Sequence, residues 1–177
     1  MIDYSIEKCF LVTKEDYVNM TVDKNSYLTP KENKIILRVM GMIAVCCGAA
    51  AFVSIRESIY QILCWLILIL IGFYALSYYD VIAPVQSEKY AQKYYEYHRK
   101  QLESSVTLCV TEELFQTHTA AHQLCLPQKY IYQIIEGKHT ILVFIDKNEF
   151  CFIPKRVLDD ESLRYIADFA GDKYKKL

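Results

Sequence analysis

The side chains able to do chemistry are few and scattered. His118, His122 and Cys125 alone have ligand-like spacing, since two histidines four apart on one helical turn can share a zinc ion. Thr119, Ala120 and Ala121 fall where a hairpin should turn, however, and there the imidazoles need not converge. Seven cysteines raise the question of redox or metal chemistry. Cys46, Cys47 and Cys64 lie in apolar runs and Cys9, Cys109, Cys125 and Cys151 stand singly in strand-like segments, with no Cys-x-x-Cys anywhere. Packing as small hydrophobes explains them, and a cytoplasmic location would keep them reduced. Glu112 with Glu113, and Asp159 with Asp160, are sequence neighbours, so neither pair resembles a general acid and base. No Gly-rich phosphate loop, nucleophile elbow or His-Glu-x-x-His occurs. The expectation is no enzyme, no cofactor and no metal. What remains is a set of interaction residues, Lys155 and Arg156 with Lys129, Tyr130 and Lys138. Facing an anionic leaflet, each cation would add about 1 kcal/mol of attraction. The alternative is a solvated basic rim paired with Asp159, Asp160 and Glu161.

Positioning these residues falls to a chain of 177 residues that is 53% apolar, with a net charge of −1. Without a basic field, nucleic acid is excluded as a partner. The apolar residues concentrate between Ile35 and Ala83. Val39 to Ile55 is 17 residues without a charge, extended by Ile35 to Leu37 if Arg38 snorkels, and Ile59 to Tyr79 is 21. At about 1.5 Å per residue these helices reach roughly 25 and 31 Å, near the thickness of a hydrocarbon core. A soluble chain of this size could not wrap both, and the first run begins too late for a signal peptide.

Only Arg56, Glu57 and Ser58 separate the runs, which predicts a transmembrane hairpin at 35–83, its helices at about 35–55 and 59–82. Lys24, Lys31, Lys34 and Arg38 precede it and Lys89, Lys93, Arg99 and Lys100 follow, against Arg56 alone in the turn. The protein is therefore expected to be multi-pass in the inner membrane with both termini cytoplasmic. Gly41, Ala44, Cys47, Gly48 and Ala51 form a small-residue face on the first helix. Its expected partner is the second helix at Gly72 and Ala75, with homo-oligomerisation as the other option. Tyr60, Tyr78 and Tyr79 suit the interfacial belt.

Residues 1–34 read as a strand from Tyr4 to Thr13, a short helix from Lys14 to Asn25 capped by Thr13 with Asp16 three later, and a linker around Asn25, Pro30 and Asn33. Pro84 opens a juxtamembrane helix over 84–104, with Tyr90, Tyr94, Tyr97 and Leu102 at helical spacing. From Ser105 the period becomes two. Val106–Val110, Leu114–His118, Gln123–Leu126, Tyr130–Ile135, Thr140–Ile145 and Phe150–Ile153 are short strands separated by turns such as Glu136-Gly137-Lys138, and predict one curved antiparallel sheet. After Pro154, Asp159 or Asp160 caps a last helix whose face is Leu163, Ile166, Ala167, Ala170 and Tyr174. The class is thus an α+β membrane protein, a helical hairpin followed at 105–177 by an antiparallel meander closed by a C-terminal helix.

Two apolar spans, a meander centred on Tyr130 to Glu136, and Phe152-Ile153-Pro154-Lys155-Arg156-Val157 followed by Asp159 to Phe169 resemble the YcxB-like family in layout over essentially the whole chain. That family usually has a Trp after a Pro at the start of the central strand. Here Pro127-Gln128-Lys129-Tyr130 stands instead, leaving the aromatic role to Tyr130. The resemblance implies a PH-like cytoplasmic domain on a two-helix anchor, and no activity. The function expected is non-catalytic contact with an unidentified protein or with the lipid bilayer, through a sheet edge or the groove beside the last helix. The rival is a small accessory subunit of a transport or envelope-stress complex acting through the hairpin.

Overall fold

The computed structural model describes residues 6–54, 58–103, 105–119 and 123–177. Arg56 and Glu57 of the expected turn, Tyr4, and Ala120 to His122 lie outside them. The chain forms two compact units, one built from the chain up to Asn25 with Ser87–Leu177, the other from Ser26–Gln86.

In the second unit, α2 (Lys31–Ser54) and α3 (Ile59–Ser77) are both long and apolar enough to cross a membrane. Ser58, read as a turn residue, is the N-cap of α3, its hydroxyl accepting from Tyr60 N. The expected small-residue contact is present. A Cβ on Gly41 would meet Gly72 O at 2.9 Å and the Ala75 Cβ at 3.1 Å, and one on Gly48 would meet Ile69 Cγ1 at 2.7 Å and Trp65 O at 3.2 Å. Position 41 facing 72 and position 48 facing 65 and 69 make the two helices antiparallel. We expect Gly72→Leu to force them apart, because its first added carbon would already lie 2.8 Å from Gly41 O and 2.6 Å from Val45 Cγ2. The melting midpoint in detergent should fall by the equivalent of about 1–3 kcal/mol, while Ile71→Leu on the exposed face leaves it unchanged.

The helix does not restart at Pro84. Tyr78–Ile82 is a π turn, in which Ala83 N–H donates to Tyr78 O, and α4 (Ala83–Leu102) follows without a break. Proline has no N–H to donate, and its ring crowds the carbonyl four residues back; the wider turn accommodates both. Arg38 is paired rather than snorkelling alone, its Nη2 donating to both carboxylate oxygens of Asp80 at 2.6 and 2.8 Å.

The first unit contains two four-stranded sheets where the sequence predicts one. The first has the order β1 (Ile6–Leu11), β2 (Ser105–Val110), β3 (Leu114–Thr119), β4 (Gln123–Pro127), all antiparallel. The second has the order β7 (Phe150–Pro154), β6 (Thr140–Phe144), β5 (Gln133–Glu136), β8 (Tyr174–Lys176), with β8 parallel to β5. They do not join into a closed barrel. The break falls at Pro127, after which Gln128–Tyr130 makes a single 3-10 turn. Tyr130 to Tyr132 therefore precede β5 instead of opening it. Each sheet gains a strand from a chain terminus, and strand pairs so distant in sequence have no periodicity that announces them.

Alternation along β2 buries Val106, Leu108 and Val110, while every residue of β6 is buried, as expected of a strand covered on both faces. Their core joins Phe115, Leu126, Ile134 and Ile153 with Ile166, Phe169 and Ala170 of α5 (Asp160–Ala170). Asp159 caps α5, accepting from Ser162 N at 2.8 Å. The helix ends before Tyr174 because Gly171 takes φ +53°, a left-handed conformation that stops the helix without side-chain strain. Before β2, α1 (Lys14–Leu28) runs three residues beyond Asn25, which shortens the expected linker to Thr29 and Pro30.

Candidate interaction site

The reciprocal cap read at the start of α1 is present. Asp16 N donates to Thr13 Oγ1 at 3.2 Å, and Thr13 N donates back to Asp16 Oδ2 at 2.9 Å. The same carboxylate holds Arg156. Nε and Nη2 of its guanidinium donate to Oδ1 and Oδ2 at 2.8 and 2.6 Å, and Nη2 also donates to Leu11 O at 2.8 Å. Burial pushes the Asp16 pKa up, but the bonds from Arg156 and Thr13 outweigh it, and the carboxyl sits below the usual range.

Lys155 turns elsewhere. It lies in the 3-10 turn after β7, and its Nζ reaches Glu136 Oε1 at 2.5 Å. Glu136 also accepts from Tyr174 OH at 2.8 Å and faces Lys176 Nζ at 3.3 Å. Burial again raises this carboxyl and its partners again lower it further, leaving it below its ordinary value. Asp159 pairs with Lys8 at 2.9 Å instead of with the Lys155-Arg156 rim. The bonds from Ser162 N and Lys8 hold its carboxyl far below the usual range. Lys155 and Arg156 thus serve two different carboxylates and tie elements of the first unit together.

Lys129 and Tyr130 do come together, with the ammonium 4.9 Å from the ring centroid. Lys173 donates to the carbonyls of Gln128 and Lys129 at 3.1 Å each. Beside this turn, the Gln128 side chain donates to Phe169 O, and Glu112, Gln128, Tyr165, Asp168 and Phe169 line an open groove of about 220 Å³. That is smaller than the roughly 300–1,000 Å³ of small-molecule sites.

Sequence reasoning overlooked Asp23. Its Oδ2 accepts from His139 N, Thr140 N and Thr140 Oγ1 at 2.9, 2.9 and 2.8 Å, and its Oδ1 from Lys138 N at 3.2 Å. A helix carboxylate thereby fills the β5–β6 turn, and a Cβ on Gly137 would collide with it. One signal was available, for Asp16, Met20 and Asp23 recur at helical spacing and all three are buried.

The cysteines differ sharply in environment. Cys9 is exposed, and bonds with Ser105 Oγ and Thr107 Oγ1 lower its thiol pKa. Burial pushes the Cys151 thiol up to about 12. Maleimide at neutral pH should label Cys9 well before Cys151, as read by peptide mass spectrometry; equal rates would contradict these environments. His118 on β3 pairs in register with Gln123 and Cys125 with Gln116, while His122 lies outside the described residues. Among the described residues no group of three or more His, Cys, Asp or Glu could hold a metal ion.

No curated protein and no solved structure matches the chain. The family described as YcxB-like protein matches over residues 129–170, from Lys129 through β5, β6 and β7 to the end of α5. The match is shorter than the whole-chain layout in which the resemblance was read, but it contains Tyr130 to Glu136, Phe152 to Val157 and Asp159 to Phe169. Over residues 129–170, under half of its length, the chain is thus similar to the YcxB-like family.

Proposed function

We propose that the protein is a multi-pass inner-membrane protein whose α2–α3 hairpin anchors a PH-like cytoplasmic unit, and that this unit acts without catalysis as a contact module. The carrying observation is the exposure of the two apolar helices, whose most apolar windows are only 11% and 6% buried. A core helix of a soluble protein is covered nearly all round, and these faces need a solvent as apolar as themselves. The count of flanking cations supports cytoplasmic termini. Two sheets around a shared core, closed by α5, support the PH-like reading. The rival, in which the hairpin itself recruits partners through Gly41, Ala44, Gly48 and Ala51, is disfavoured because Gly41 and Gly48 already pack closely against α3.

Carbonate extraction should leave the protein in the membrane pellet, and tags at both ends should be reached only from the cytoplasmic side. Release into the wash, or tags on opposite sides, overturns the anchored reading. Crosslinked partners that persist after removal of residues 105–177 would move the function to the hairpin.

A further inference from the structure

We propose that Lys129, Tyr130, Tyr132 and Lys173 form a surface that docks onto an anionic lipid bilayer, an inference that rests on the membrane-anchored reading above. Among the described residues, carboxylates pair with Lys8, Lys14, Lys155 and Lys176. Lys129 meets only the Tyr130 ring, and Lys173 meets only carbonyl oxygens, so both keep their positive charge unneutralised. Tyr130 and Tyr132 are 61% and 51% exposed on either side of Ile131, which is buried at 2%. The backbone at Ile131 is extended, at φ −70° and ψ 124°, which carries the chain out of the 3-10 turn with both tyrosines exposed and Ile131 in the core. Two exposed tyrosine rings and two ammonium groups without a carboxylate partner match the headgroup layer, where an amphipathic ring has one polar edge and phosphate supplies the counter-charge.

The segment is also held firmly. Gln128 is tied to Phe169 O of α5, and Tyr132 N donates to Phe144 O at 2.9 Å. Glu112 and Asp168 line the adjoining groove and limit the attraction. Two lysines together favour an anionic surface by about 25-fold, too little to hold a free domain on a membrane but enough to bias a domain already tethered to one. An acidic peptide added along β4 or β8, the end strands of the two sheets that adjoin these residues, is the alternative occupant that the test below separates from lipid.

The test uses the full chain in nanodiscs. Trp65 is the one tryptophan, so Trp65→Phe combined with Tyr130→Trp places the sole indole in the proposed surface. Headgroup nitroxide lipid reports its depth in discs of phosphatidylcholine with and without phosphatidylglycerol. Docking predicts quenching in the anionic discs that fades as salt rises, and a docked-to-free ratio at least about tenfold lower with Lys129→Glu plus Lys173→Gln. Lys129→Gln alone, which removes one charge and touches only the neighbouring ring, should give about a fivefold loss if the double variant is unstable. Equal quenching in neutral discs, or quenching indifferent to both variants, overturns the proposal. So does an emission shift with polyglutamate in place of quenching by lipid, which would assign the surface to an acidic peptide. Failure of the chain to enter discs at all sinks the anchored reading instead.

Discussion

Replacing Asp23 with alanine should lower the stability of the unit carrying the two sheets by about 3–4 kcal/mol, because it strands several buried donors at once. Asp23 is 4% exposed, and three backbone amides and the Thr140 hydroxyl point at its two oxygens. Alanine supplies no acceptor, and the Thr140 amide and hydroxyl are buried where water does not replace it. Asp23→Asn keeps one carbonyl oxygen but aims an amide NH₂ at remaining donors, so its loss should be intermediate. Denaturant titration in detergent reads the loss, and hydrogen exchange at Lys138, His139 and Thr140 should accelerate most. Gly137→Ala attacks the same contact from the other side, since its methyl would collide with the carboxylate. The two substitutions should therefore be strongly sub-additive. Additive losses would mean that the turn does not depend on Asp23.

Arg156→Ala should cost about 2–3 kcal/mol at neutral pH, less than a wholly buried pair because the guanidinium is half-exposed. Its dependence on pH carries the sharper prediction. In the native protein Asp16, Glu136 and Asp159 all titrate below their ordinary values. Unfolded carboxyls titrate near about 4, so between the folded and unfolded values the unfolded chain binds more protons. The stability these groups contribute is thus complete above about pH 5 and declines as acid drives them toward protonation. Without Arg156, Asp16 loses its ionic partner and keeps only the Thr13 bonds against burial, so its pKa rises from the native value. That group then loses its penalty as it is protonated, so the gap between variant and native protein should narrow on going from pH 7 to about pH 4. A constant gap across this range would show that Arg156 acts through packing and not through the Asp16 charge.

Both effects arise from α1, which the sequence presents as a short capped helix before a membrane anchor. Its cap was legible because Thr13 and Asp16 are neighbours along the chain. The tertiary roles of Asp16 and Asp23 were not, for Arg156 and the Gly137 to Thr140 turn lie more than a hundred residues away. The same distinction explains the strands. β2, β3, β4, β6 and β7 were readable from alternation and turn residues, within a residue or two at their ends. The division into two sheets was not, because it depends on β1 joining β2 and β8 joining β5.

The sequence by itself determined the hairpin, its small-residue seam and the number of its long apolar helices, since length and hydrophobicity act locally and a neighbouring helix is the nearest partner for a glycine face. It also determined most strands and narrowed the cap of α5 to Asp159 or Asp160. Only the tertiary structure decided which charges are already engaged. A lysine or arginine looks the same along a chain whether a distant carboxylate awaits it or not. Folding therefore turns Lys155 and Arg156 into internal ties and leaves Lys129 and Lys173 without an acidic partner.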